Sequence, residues 1–254
     1  MKRLLLILVA VIFLFGCSSE TENTQPKADG KSKVTQVVME TLVMDEIGHA
    51  LDGKKTMLPR EELLGAIGIS FDIDAKALSR EYNSNEVAAD AKYKGKNILV
   101  RGVVEAIAKD AFDNPYLSIK GSQMFHTVHA QFPDSALDDL AKMKKGQNVA
   151  LICKVSGMII GSVMAEGCSQ IDSYTNGNHV KKAVNSYAKD ILAGESGNCH
   201  IAVLASVFAK NVPQGSSCHE VAGDSCLEDI RKIVENLSMT DEEKEQMRKC
   251  DEKE

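Results

Sequence analysis

Tryptophan is absent from this 254-residue chain, aromatic residues make up only 5% of it, and proline occurs five times. So little proline excludes a proline-rich or collagen-like chain, and 44% hydrophobic residues with 26% charged residues exclude a disordered one. Excess positive charge is also lacking, with 30 Lys+Arg against 36 Asp+Glu. Residues 80–172 carry 11 charges of each sign, while residues 18–79 and 173–254 are each acidic by four. A nucleic-acid surface displaces counterions with clustered Lys and Arg, and no segment offers that excess. No Gly-x-Ser-x-Gly, His-Glu-x-x-His or Cys-x-x-Cys occurs. Nothing selects a pair of carboxylates as general acid and base. The reading is therefore of a non-enzyme with neither cofactor nor metal.

A single long apolar run is present. Lys2 and Arg3 precede twelve uncharged apolar residues, 4–15, and Gly16 and Cys17 follow. The run falls short of the roughly 17–25 residues of a membrane-spanning helix and has the layout of a signal peptide. Leu14-Phe15-Gly16-Cys17 resembles the lipobox of bacterial lipoproteins. That resemblance implies cleavage before Cys17, lipidation of Cys17 and a polar tether over residues 17–33. Two or more acyl chains make such attachment firm. The mature chain would be balanced at 28 basic against 36 acidic residues, tethered to a membrane and, with Ser18 after the Cys, at the outer membrane facing the periplasm if the cell is Gram-negative.

An even set of cysteines then remains: Cys153, Cys168, Cys199, Cys218, Cys226 and Cys250. In an exported protein these suggest disulfides. Cys226 and Cys250 fall at the start and end of consecutive helices, which pairs them if those helices form a hairpin and leaves Cys199 with Cys218. Cys153 and Cys168 are equidistant from Ile160-Gly161 but sit on opposite faces of their strands, so bridging them needs a bulge near Gly167.

Along the chain, residues 34–51 place Val34, Val37, Val38, Leu42, Ile47 and Leu51 mostly at three- and four-residue spacing, an amphipathic helix. Pro59 opens a second, ended by Gly65 and Gly68. A helical pair follows Ile73-Asp74, its second member capped by Asn83 or Ser84. From residue 93 strands take over: 96–107 interrupted at Gly102, 116–120, 125–132, then a helix 136–143, then strands 148–156 and 162–171. Residues 179–192, 199–210, 224–237 and 240 onwards are helical. His126 and His129, three apart on a strand, point to opposite faces and cannot share a metal. Gly48-His49-Ala50-Leu51-Asp52-Gly53-Lys54-Lys55-Thr56 misses a phosphate loop because Lys55 stands where Ser or Thr must hold Mg²⁺.

Three strands, a helix and two strands, with the first strand bent, is the order of the OB-fold. The stretch from Leu78-Ser79-Arg80-Glu81-Tyr82 through Tyr93-Lys94-Gly95-Lys96, Val100-Arg101-Gly102-Val103-Val104 and Leu140-Ala141-Lys142-Met143 to Gly167-Cys168 resembles the tRNA_anti-like family of exported OB-fold proteins. The expectation is an α+β protein, a five-stranded OB-fold Greek-key β-barrel flanked by N-terminal helices and a C-terminal disulfide-linked helical region. Its divisions are signal peptide 1–16, tether 17–33, N-terminal helical segment 34–73, barrel domain 74–172 and C-terminal helical region 173–254. Alternation on the strands places Arg101, Tyr116, Ser118, Lys120, Phe125, Thr127, His129 and Gln131 on the usual OB ligand surface. The chain reads as a membrane-anchored, non-catalytic binding module for an envelope protein or glycan. The alternative is single-stranded nucleic acid or oligosaccharide bound through the same face.

Overall fold

The computed structural model describes residues 33–124 and 126–252; the leader, Cys17 and the tether as far as residue 32 lie outside them. Helix α1 (Lys33–Asp52) is more than amphipathic. Val37, Val38 and Met39 are all buried although successive, as are Leu42, Val43, Ile47, Ala50 and Leu51. No single stripe of a helix covers three successive residues. α1 is instead buried over most of its circumference, with Met44, Gly48 and Asp52 left exposed on one stripe, and its buried Glu46 is satisfied by the backbone N–H groups of Met57 and Leu58 at 2.6 and 3.1 Å. α2 (Arg60–Ala66) begins after Pro59 as the sequence suggests, with Gly65 inside it and Gly68 (φ +83°) turning the chain beyond it. A strand not foreseen, β1 (Phe71–Asp74), then pairs parallel with a later one.

Asp74 caps α3 (Ala75–Ser84), and Asn85, rather than Asn83 or Ser84, caps α4 (Glu86–Tyr93) by accepting from the Ala88 N–H at 3.1 Å. The barrel follows: β2 (Asn97–Lys109), β3 (Pro115–Lys120), β4 (Thr127–Gln131), β5 (Asn148–Ile159) and β6 (Ser162–Gln170). A single 3₁₀ turn (Asp134–Ala136) and a short α5 (Leu137–Leu140) fill the β4–β5 connection. The pairings run β2-β3-β4-β6-β5, and β5 pairs back on β2, so the five strands close a ring. β2 achieves this by changing partners along its length. Residues 97–103 pair with β5, and the strand from Val104 onward pairs with β3. Gly102 lies at the change, where a Cβ would stand 2.5 Å from Ile119 Cγ2 and 3.0 Å from Ala75 Cβ. The bend thus depends on close packing at a residue without a side chain.

The bulge required for Cys153 and Cys168 is present. Ile152 faces Ser169 and Lys154 faces Glu166, so Gly167 and Cys168 together oppose Cys153. Gly167 adopts φ +59°, which glycine reaches without a Cβ clash. Buried positions on β6 accordingly run Val163, Ala165, Cys168, and the cysteines bond with Cα atoms 4.2 Å apart.

The C-terminal region comprises α6 (Ile171–Thr175), α7 (Asn178–Ala193), α8 (Cys199–Lys210), α9 (Asp224–Asn236) and α10 (Asp241–Asp251). Its disulfides are Cys199–Cys250 and Cys218–Cys226. They correct the expected Cys226–Cys250 and Cys199–Cys218. The physical reason is that α10 packs on α8, not on α9. Lys210 pairs with Glu243 at 3.2 Å near one end and His200 with Asp251 at 2.8 Å near the other, and Val203, Val207 and Cys250 form a buried cluster between them. Segments 34–73 and 173–254, remote in sequence, share one core in which Val38, Leu63, Val184, Ala205 and Ile230 meet. Leu99 and Ile152, from the outer side of β2 and β5, belong to that same core, while Val100, Leu117, Ile119 and Val128 fill the barrel. Each fully buried aliphatic side chain is worth about 1.5–3 kcal/mol. Among the described residues, no helix is long and apolar enough to cross a membrane.

Candidate ligand-binding face

Strands β3 and β4 alternate cleanly between fully buried residues and half-buried ones, with only Lys120 exposed. Leu117, Ile119, Val128 and Ala130 are buried in the barrel. The opposite parity brings three pairs directly across from one another: Tyr116 with Gln131, Ser118 with His129, and Lys120 with Thr127. Side chains so opposed touch on one face of a sheet. The Tyr116 and His129 rings stack, with centroids 3.8 Å apart and planes 21° from parallel. Thr127 Oγ1 shares a hydrogen bond with Ser162 Oγ of β6 at 3.0 Å, so the face extends onto a third strand.

The β2–β3 loop closes one end of this face. Asp110 accepts from the Phe112 and Asn114 N–H groups at 2.8 and 3.0 Å, and from the Asn114 side chain at 3.0 Å. Those bonds, the side-chain one foremost, hold its carboxyl below the usual range. Tying the loop in this way leaves Phe112 86% exposed, an aromatic that strand alternation could not identify because it lies in a turn. The only available signal was an aromatic among turn-forming residues, Asp110 to Asn114. Burial lowers the pKa of His129, and the negative charge of Asp110 opposes that shift.

Arg101 does not join this face. Its half of β2 pairs with β1 and β5, not with β3. Its Nε donates to Asp72 at 3.0 Å and its Nη2 to the Leu51 carbonyl at the end of α1, while Arg60 pairs with the other Asp72 oxygen. The guanidinium ties barrel to helices. Arg101 and Lys120 do line a depression of about 430 Å³ with Asp74, Lys76 and Asn148. Phe125 lies outside the described residues. His126 precedes β4 and packs against Gly161 of the β5–β6 turn.

A larger cleft, about 470 Å³, separates α1 from α7 and α9. Across it Asp45 of α1 stands 3.7 Å from Arg231 of α9, and 3.9 Å from His49 one turn along its own helix. Gly48 to Asp52 of the near-match to a phosphate loop are the last turn of α1, and Gly53 to Thr56 follow it as a turn, so a helix precedes the Gly-Lys pair instead of starting at it. Ser186 and Lys189 stand at Ser-x-x-Lys spacing on α7, both exposed. Among the described residues no group of three or more His, Cys, Asp or Glu could hold a metal ion.

A model of the tRNA_anti-like family matches residues 1–169. Among solved structures, a candidate nucleic acid-binding lipoprotein from Klebsiella pneumoniae subsp. pneumoniae is similar at 16% identity. The match covers 45% of this chain and 99% of that one, with a TM-score of 0.35. No curated protein matches the chain.

Proposed function

The chain belongs to the tRNA_anti-like family, and we propose that it is a lipid-anchored envelope protein whose barrel binds an uncharged, ring-bearing ligand, an oligosaccharide, on the β3–β4 face without catalysing a reaction. The observation that carries this is the Tyr116–His129 stack, bordered by Ser118, Thr127 and Gln131. A flat apolar surface beside neutral hydrogen-bonding groups suits the faces and hydroxyls of a sugar. Lys120 is the sole cation among these residues, since Arg101 is engaged with Asp72. A phosphate backbone needs several cations in line. The anchor is Cys17, on the strength of Leu14-Phe15-Gly16-Cys17 after a basic and apolar leader, and the location is the periplasmic side of the outer membrane in a Gram-negative cell.

The binding claim is tested by passing the whole chain over immobilised peptidoglycan-derived oligosaccharide and over oligo-deoxythymidine across a salt series. Retention on the glycan that ignores salt and disappears in Tyr116→Ala is the expected result. Retention on the oligonucleotide that falls steeply with salt would replace the glycan with single-stranded nucleic acid. The anchor is tested separately by labelling cells with palmitate: the native chain takes up label and fractionates with membranes, and Cys17→Ser does neither.

A further inference from the structure

The β5–β6 hairpin turns through Ile160 and Gly161, both at positive φ (46° and 78°), the pattern of a two-residue type I′ turn. Asn, Asp or Gly normally fills the first place, because left-handed backbone crowds a Cβ and most of all a branched one. Here the residue is isoleucine, 97% exposed, and Ile159 beside it is 60% exposed. Met124, in the adjoining β3–β4 loop, is 81% exposed. The two loops abut, since a Cβ built on Gly161 would stand 3.3 Å from the His126 ring. Neither carries charge: residues 121–133 and 155–165 contain no Asp, Glu, Lys or Arg, in a chain that is 26% charged. The end of the barrel is thus an apolar prominence with uncharged margins, built on a turn whose sequence favours neither the backbone nor water.

We propose that this tip, Ile159, Ile160 and Met124, inserts into the acyl layer of the bilayer that holds Cys17. The inference rests on the lipid-anchored reading above and adds a second point of membrane contact. Sixteen residue steps, from 17 to 33, separate the anchor from α1, and even fully extended they reach no further than about 55 Å. The barrel therefore stays within reach of the membrane surface, where an exposed apolar patch meets lipid before any other partner. Charge at the margin would oppose entry into hydrocarbon, and these loops have none. Insertion also orients the ligand face. Lys120 and Thr127 lie at the tip end of β3 and β4, and Phe112 lies at the other end, so the face stands upright from the membrane with Phe112 outermost.

The absence of tryptophan makes the test direct. Full-length acylated chain carrying Ile160→Trp is reconstituted into phosphatidylethanolamine–phosphatidylglycerol vesicles, with and without bromine on the acyl chains. The emission is expected to shift to the blue and to be quenched by the brominated lipid, while Val234→Trp, on α9 and 53% exposed in the native chain, shows neither change. An Ile160→Trp chain that floats with the vesicles yet emits as if in water overturns the tip insertion and leaves the anchor standing. A blue shift that bromine does not quench means protein covers the tip, and also overturns it. A chain that does not float removes the anchor and this proposal together. Ile160→Asn, which suits the turn, should keep the fold and lessen quenching of a tryptophan placed by Met124→Trp.

Discussion

Gly102 shows how much one missing methyl group can decide. Gly102→Ala drives a Cβ into Ile119 at the place where β2 changes partners, and chemical denaturation should show a loss of about 1–3 kcal/mol. Ile160→Asn works in the opposite sense: asparagine tolerates left-handed backbone, so unfolding free energy should rise by about 1 kcal/mol, read in the same assay. His129 carries a pH dependence. Its folded pKa lies below the ordinary 6.5 because burial disfavours the charged ring. The unfolded chain then binds the proton more readily, so stability is complete above pH 6.5 and declines as pH falls towards the depressed value. Denaturation midpoints measured through this window should slope less in His129→Gln than in the native chain. The face residues on β3 and β4 were legible in sequence because alternation alone decides which way a strand residue points. Arg101 was not, because its environment depends on which half of β2 turns towards the helices.

Elements were readable where they carried their own boundaries. α8 (Cys199–Lys210) stops just ahead of Pro213, and the Thr240–Glu243 capping box opens α10. β1 was missed because four residues, two of them Asp, hold no alternating pattern long enough to see. The spacing in α1 records one face of the helix, while partners from both ends of the chain bury all but a stripe through Met44, Gly48 and Asp52. The disulfide pairing differs for a related reason: succession in sequence puts α9 beside α10, whereas in the fold α10 lies on α8. Two outcomes belong to this scale. Asn85→Ala removes the α4 cap and should cost about 1 kcal/mol by thermal or chemical unfolding. Replacing both Cys199 and Cys250 with Ser should cost about 2–4 kcal/mol, and hydrogen exchange should show the loss first in α10. Unchanged α10 protection would mean that the Val203 and Val207 contacts alone hold it.

At the scale of the whole molecule, barrel and helices are not independent modules. The family match ends at residue 169, yet α1, which precedes the barrel, is buried by helices that come after it. A chain cut after Gln170 should expose much of α1 together with Leu99 and Ile152. Size-exclusion chromatography should then find aggregate where the full chain elutes as a defined species. The nesting of two bridges has its own consequence. Cys199–Cys250 encloses Cys218–Cys226, so under the export proposed above, with the N-terminus emerging first, Cys199 would meet an oxidant while its only free neighbour downstream is Cys218. A catalyst that oxidises thiols in order of arrival would join those two wrongly. On that proposal, maturation calls for a disulfide isomerase, or for a pause in oxidation until the last helix has emerged.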